Sequence, residues 1–155
     1  MGKGGKGKKL TPPLAANVSQ KRTGDPGRLL PAADTSDERL CWRFTHVDHD
    51  GRWGFGNIEP PLLTEILRKM ADCESMTLYE IRRTRKLLVE YELPSGLCKE
   101  ALDRLAEMRR DEMTSIWRLD FKGKQRLYGF LEGNVFHVVW WDPEHEVYPW
   151  SPRNS

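Results

Sequence analysis

The last third of the chain constrains its fold more than any other part. "SIWRLDF", "QRLYGFL" and "NVFHVVWW" are three runs rich in apolar, β-branched and aromatic residues, separated only by "KGK" and "EG". Loops that short join antiparallel neighbours, so the region reads as a three-stranded meander. The hydrophobic pattern also predicts registers. A two-residue turn at Glu132-Gly133 sets Tyr128 opposite His137, Arg126 opposite Val139 and Leu127 beside Val138. A three-residue loop, Lys122-Gly123-Lys124, with Gly123 or its neighbour left-handed, sets Leu119 beside Leu127; a one-residue slip would turn every side chain to the other face. One face then collects Trp117, Leu119, Leu127, Leu131, Phe136, Val138 and Trp140 as a core. The other collects Arg118, Asp120, Arg126, Tyr128, His137, Val139 and Trp141.

Upstream, "LCWRFTHV" (40–47) alternates like a strand, "DHDG" is turn chemistry, and "RWGF" reads as a short returning arm. "EPPLLTEILRKMADC" carries Leu62, Leu63, Ile66, Leu67 and Met70 at helical spacing, with proline at its first turn. "TLYEIRRTRKLLVEY" (77–91) reads as one helix, with Thr77 as N-cap and Glu80 closing a capping box. "LCKEALDRLAEMRRDEM" gives a third, with Leu97, Ala101, Leu105 and Met108 on one stripe. The expected fold class is α+β: a strand, helices, then a three-stranded antiparallel meander, with the helices packed on one sheet face.

Composition divides the chain near residue 40. Residues 1–39 hold no aromatic residue, whereas all six Trp follow Leu40. So Gly-, Lys- and Pro-rich a segment cannot bury enough apolar surface to offset its ordering entropy, and 1–39 is expected to be a disordered basic tail. Residues 40–150 form the single expected domain. The tail contains eight Lys/Arg and four Asp/Glu; of the chain totals of 25 and 23, therefore, 17 and 19 fall in 40–155. The basic balance belongs to the tail, and the domain is close to neutral. Cys41, Cys73 and Cys98 are odd in number and lack metal-type spacing. With no signal peptide and no long apolar run, they point to a reducing cytoplasm and no membrane.

Two places could carry chemistry. Arg126, Tyr128 and His137 share a predicted sheet face with Arg118 and Asp120, where an arginine can hold a phosphate or carboxylate and a Tyr or His can move a proton. The same face read as plain surface needs only cross-strand pairs. The second place is "DPEHEVYP" (142–149), where Pro143 ends the strand and His145, Glu146 and Tyr148 reach toward the rim of that face. In "THVDHDG" (45–51), Asp48 and Asp50 begin like a calcium loop, but Arg52 and Trp53 stand where Asp and Gly are needed. No metal and no cofactor are expected.

A strand, helices and then a meander carrying "KQRLYGF" and "FHVVWWDPEHEVYP" resemble the RelE/ParE toxin superfamily, with Arg126, His145, Val147 and Tyr148 in matching places. The ending, with Phe136, Asp142, Pro143 and His145, also resembles that of small uncharacterised bacterial proteins. For RelE-like members the resemblance implies metal-independent, ribosome-dependent cleavage of messenger RNA, in which a 2′-hydroxyl attacks the adjacent phosphate. Arg126 would then steady the phosphate, and His145 or Tyr148 would serve in proton transfer. It also implies an antitoxin partner. ParE-like members keep the fold without this chemistry. Two readings therefore stay open: a toxin-like endoribonuclease acting on RNA or the ribosome, and a non-catalytic protein-interaction module anchored by Trp141, Tyr148 and Trp150. Charge separates them, because a ribonuclease needs a positive groove while Asp142, Glu144 and Glu146 stand near its expected phosphate.

Overall fold

The computed structural model of the chain describes residues 35–149. The expected tail, apart from its last residues, and Trp150 lie outside them. Five strands form one sheet in the order β1-β5-β4-β3-β2. The strands are β1 (Cys41–Arg43), β2 (Leu88–Glu92), β3 (Ser115–Asp120), β4 (Arg126–Glu132) and β5 (Val135–Asp142). β2 to β5 pair antiparallel and β1 runs parallel to β5, so the sheet is mixed and larger than the expected meander. The helices are α1 (Pro60–Glu74), α2 (Leu78–Arg83) and α3 (Lys99–Glu107). No helix among the described residues is long and apolar enough to cross a membrane.

Several local expectations hold. The capping box at α2 forms from both sides: Thr77 Oγ1 accepts from the Glu80 N–H, and Glu80 Oε2 accepts from the Thr77 N–H. The β3–β4 turn is the three-residue loop, with Gly123 at φ 60° and Leu119 opposite Leu127.

Three expectations change. The run 77–91 is not one helix. α2 stops at Arg83, Lys86 is left-handed at φ 60°, and the alternating Leu88-Val-Glu-Tyr-Glu pairs along β3. Pairing with a sheet edge overrides the helical propensity of "RTRKLL". The "RWGF" arm is instead a turn at Arg52-Trp53 leading into a 3₁₀ turn at Phe55–Asn57. On α1 the buried stripe is Ile66, Met70 and Cys73, which leaves Leu63 and Leu67 exposed.

The largest change is at β4–β5. The hairpin turns at Gly133-Asn134, with Glu132 opposite Val135. Gly129 then pairs with Val138 but Tyr128 pairs with Trp140, so Val139 is a bulge. A Cβ at Gly129 would sit 2.3 Å from the His137 carbonyl oxygen, so only glycine admits this close approach. The bulge turns Val139 and Trp140 to the same side and sends Trp141 to the other. Tyr128 thus faces Trp140 rather than His137, His137 faces Phe130, and Arg126 faces Asp142.

Both sheet faces are buried, so the helices do not lie on one face only. The first core joins Leu119, Leu127, Phe136, Val138 and Trp141 to Ile66, Met70 and Cys73 of α1 and Leu78 and Ile81 of α2. The second joins Ile116, Tyr128, Phe130, Val139 and Trp140 to Ala101 and Leu105 of α3, with Trp53, Leu97 and Val147 closing over them. A central strand apolar at nearly every position is what two covered faces require.

Candidate functional site

Where the second core ends, toward the last residues of β3 and β5, polar groups gather. Arg118 and Asp120 of β3, Arg126 of β4, Asp142 of β5 and Tyr91 of β2 all point to the second face. Arg118 Nε lies 2.6 Å from Asp120 Oδ1, and Arg126 Nε lies 3.2 Å from the same oxygen. One carboxylate therefore sits between two guanidiniums. Arg126 also donates to the carbonyls of Gly123 (2.6 Å) and Gln125 (2.8 Å), which ties it to the β3–β4 loop. Arg118 donates to the Tyr91 hydroxyl, and its guanidinium carbon lies 5.4 Å from the Tyr91 ring centroid.

The segment after β5 brings two more groups. The buried Asp142 carboxylate accepts from the backbone N–H of Val147 (2.8 Å) and of Glu144 (3.3 Å), pinning the return of the chain. Burial pushes the Asp142 carboxyl up from its ordinary range, against the lowering effect of those N–H groups. Held inside this loop, His145 takes a left-handed backbone at φ 60°, costly for a non-glycine residue and common where a side chain must be aimed. Its Nε2 lies 3.4 Å from Arg118 Nη1. Burial, reinforced by the charges of Arg126 and Arg118, holds its imidazole below the usual histidine value. The ring remains partly exposed.

Tyr148 stacks on Tyr91 with ring centroids 4.0 Å apart and planes 12° from parallel. Its seat is Gly96, at φ 84°, where a Cβ would lie 2.0 Å from the Tyr148 ring. Arg118, Tyr91 and Tyr148 thus form a continuous cation–π and π-stacked series. Beneath the cluster lies Tyr128, 0% exposed, its hydroxyl without a hydrogen-bond partner among the described residues and its pKa pushed up by burial.

The acids of "DPEHE" are less free than their spacing suggests. Asp142 turns inward, and Glu146 is held by Arg52, which also bonds Glu100 of α3 at 2.5 Å. Glu144 reaches within 4.0 Å of Lys124. Among the charges acting on His145, those of Arg126 and Arg118 outweigh those of Asp142 and Asp120.

The structure brings together Arg118, Arg126, Tyr128, His145 and Tyr148 from the residues read in the sequence. His137 is elsewhere, stacked on His46 toward the opposite end of β4 and β5. Trp141 is 3% exposed and packs edge-on against Phe121 in the first core, so it offers no anchor surface. Asp120, also read on that face, sits between the two arginines, and Tyr91 joins the cluster. Tyr91 was hidden by the helical reading of 77–91, and the alternation of Leu88–Glu92 was its one signal.

A separate buried charge stabilises the frame. Asp48, 2% exposed, accepts from Arg104 Nε and Nη2, both at 2.8 Å, from Trp140 Nε1 at 3.0 Å and from the Gly51 N–H at 2.9 Å. Burial alone would raise its pKa, but these donors hold it well below the carboxylate range. The aspartate that began like a calcium ligand is a strut between the 48–51 turn, α3 and β5. No family model matches the chain, and neither a curated protein nor a solved structure does.

Proposed function

We propose that the Arg118–Arg126–His145–Tyr148 cluster is a ribonuclease site that works without metal, and that the chain is the toxin-like component of a bacterial toxin–antitoxin system. The observation that carries this reading is His145 itself: a partly exposed imidazole on a left-handed backbone, 3.4 Å from a guanidinium, its pKa lowered by burial and by Arg126 and Arg118. A neutral imidazole beside fixed cations suits general-base attack on a phosphodiester. His145 would take the proton of an RNA 2′-hydroxyl as that oxygen bonds to the adjacent phosphorus. Arg118 and Arg126 would stabilise the charge on the non-bridging oxygens, and the bond to the 5′-oxygen would break as Tyr148 supplies its proton. The products are a 2′,3′-cyclic phosphate and a free 5′-hydroxyl.

The interaction-module reading is favoured by a different observation. Leu63 and Leu67 lie four residues apart on α1 and are 38% and 52% exposed, an apolar pair of the kind a protein partner covers. An antitoxin would use such a surface as well.

Inducible expression in a bacterium tests the proposal. The wild-type chain should arrest growth, and Arg126→Ala, His145→Ala and Tyr148→Ala, each shown to be folded by circular dichroism, should not. Arrest that persists in all three would remove the cluster from any toxic role.

A further inference from the structure

We propose that a cavity at the opposite end of β4 is a second binding site, built for a small aromatic monocarboxylate. The cavity is a half-open cleft of about 370 Å³ between the segment after β1, the segment after α3 and the β4–β5 hairpin, within the size range of small-molecule sites. Phe130, which lines it, is four residues along β4 from Arg126. At the strand rise this is about 13 Å from the cluster described above.

Arg110 supplies the recognition. Its Nη2 lies 2.9 Å from His46 Nδ1 and its Nη1 donates to the Arg109 carbonyl at 3.2 Å. Among the described residues no carboxylate stands within ion-pair distance of it, unlike Arg52, Arg104, Arg118 and Arg126. A guanidinium whose side-chain partner is an imidazole keeps donors for a carboxylate, which it binds through two parallel N–H bonds.

The walls choose the rest of the ligand. Phe130 and Met113 supply apolar lining, and His46 stacks on His137 with centroids 5.2 Å apart and planes 30° from parallel, flat aromatic lining for a ring. His137 Nδ1 is shielded from solvent and has no hydrogen-bond partner among the described residues, and its Nε2 is 3.5 Å from Glu132 Oε2. Glu112 also lines the cavity. Glu112 and Glu132 repel a dianion more strongly than a monoanion, so a ligand carrying one charge, seated on Arg110, is favoured over phosphate.

The test is titration of the full-length protein with benzoate, followed by calorimetry and by NMR of the histidine ring signals. Benzamide and inorganic phosphate are the comparison probes. Saturable benzoate binding with a Kd below about 1 mM is expected, with shifts centred on His46 and His137. Benzamide, and benzoate with Arg110→Gln, should each bind roughly tenfold or more weakly, the loss of a charged hydrogen-bond pair. Absence of saturation, shifts that map elsewhere, or equal binding of benzamide or phosphate would overturn the assignment. Should Arg110→Gln fail to fold, the benzoate–benzamide comparison on the wild type decides alone.

Discussion

His145 and Arg118 face each other across 3.4 Å, the imidazole Nε2 to the guanidinium Nη1, at the rim of the second core. Burial, with the charges of Arg126 and Arg118 adding to it, lowers the pKa of the ring below the usual histidine value. The folded protein binds that proton less readily than the unfolded chain. Stability from this group is therefore complete above the unfolded histidine pKa, about 6.5, and declines as pH falls below it. Activity that needs the neutral ring should follow the same direction, with an acid limb whose midpoint lies below that value. Replacing Arg126 with Gln should move the midpoint up. An unmoved limb in a pH–rate profile would show that His145 does not act as the base.

The left-handed backbone at His145 makes function and stability separable. Holding a non-glycine residue there costs about 1–2 kcal/mol. His145→Gly should therefore keep or raise the melting temperature while cleavage falls by roughly 10²-fold or more. Loss of both together would mean that the side chain is structural.

Gly96 has no room for a methyl group, because Tyr148 fills the space and the backbone is at φ 84°. Gly96→Ala should destabilise by more than about 1 kcal/mol and displace Tyr148 from Tyr91. Its catalytic defect should match that of Tyr148→Ala, and the double variant should be no worse than either single one. Additive defects would separate the glycine from the tyrosine.

Asp48 anchors three parts of the second core. Removing one member of a buried ion pair leaves the others uncompensated, so Asp48→Ala should cost about 3 kcal/mol in denaturant unfolding. Its carboxyl is held below the ordinary range. Its contribution is therefore fully present above the unfolded aspartate pKa, about 3.9, and is lost as pH falls through the lower folded value. A stability loss unchanged down to that lower value would contradict the bidentate pairing.

Arg52 neutralises Glu146 at the edge of the candidate site. The contact is exposed, so Arg52→Ala should change stability by less than about 1 kcal/mol. It should nevertheless weaken RNA binding, because the Glu146 charge would then face the phosphate. Adding Glu146→Gln should restore binding, measured as KM with kcat unchanged. A failure to rescue would assign Arg52 a different role.

How much of this was legible in the sequence depended on whether chemistry or pairing decided the outcome. The Thr77–Glu80 cap and the Lys122–Lys124 turn were readable because short-range hydrogen bonding and a left-handed glycine settle them locally. β2 was not, because "RTRKLL" favours helix and only β3 makes Leu88–Glu92 extended. The bulge at Val139 left no trace, since "FHVVWW" is apolar on both sides and either register buries large side chains. Arg126, His145 and Tyr148 were visible as residue types near the chain's end. Their meeting with Arg118 was foreseen only as a shared face, and Tyr91 was missed because its strand was.

The most direct measurement is incubation of the purified full-length protein, in the presence of EDTA, with translating ribosomes and a labelled messenger RNA. The account predicts cleavage that leaves a 2′,3′-cyclic phosphate, that stops at a single 2′-deoxy substitution at the cut site, and that disappears in folded His145→Ala. Intact RNA with the wild type, or cleavage retained by His145→Ala, would contradict it.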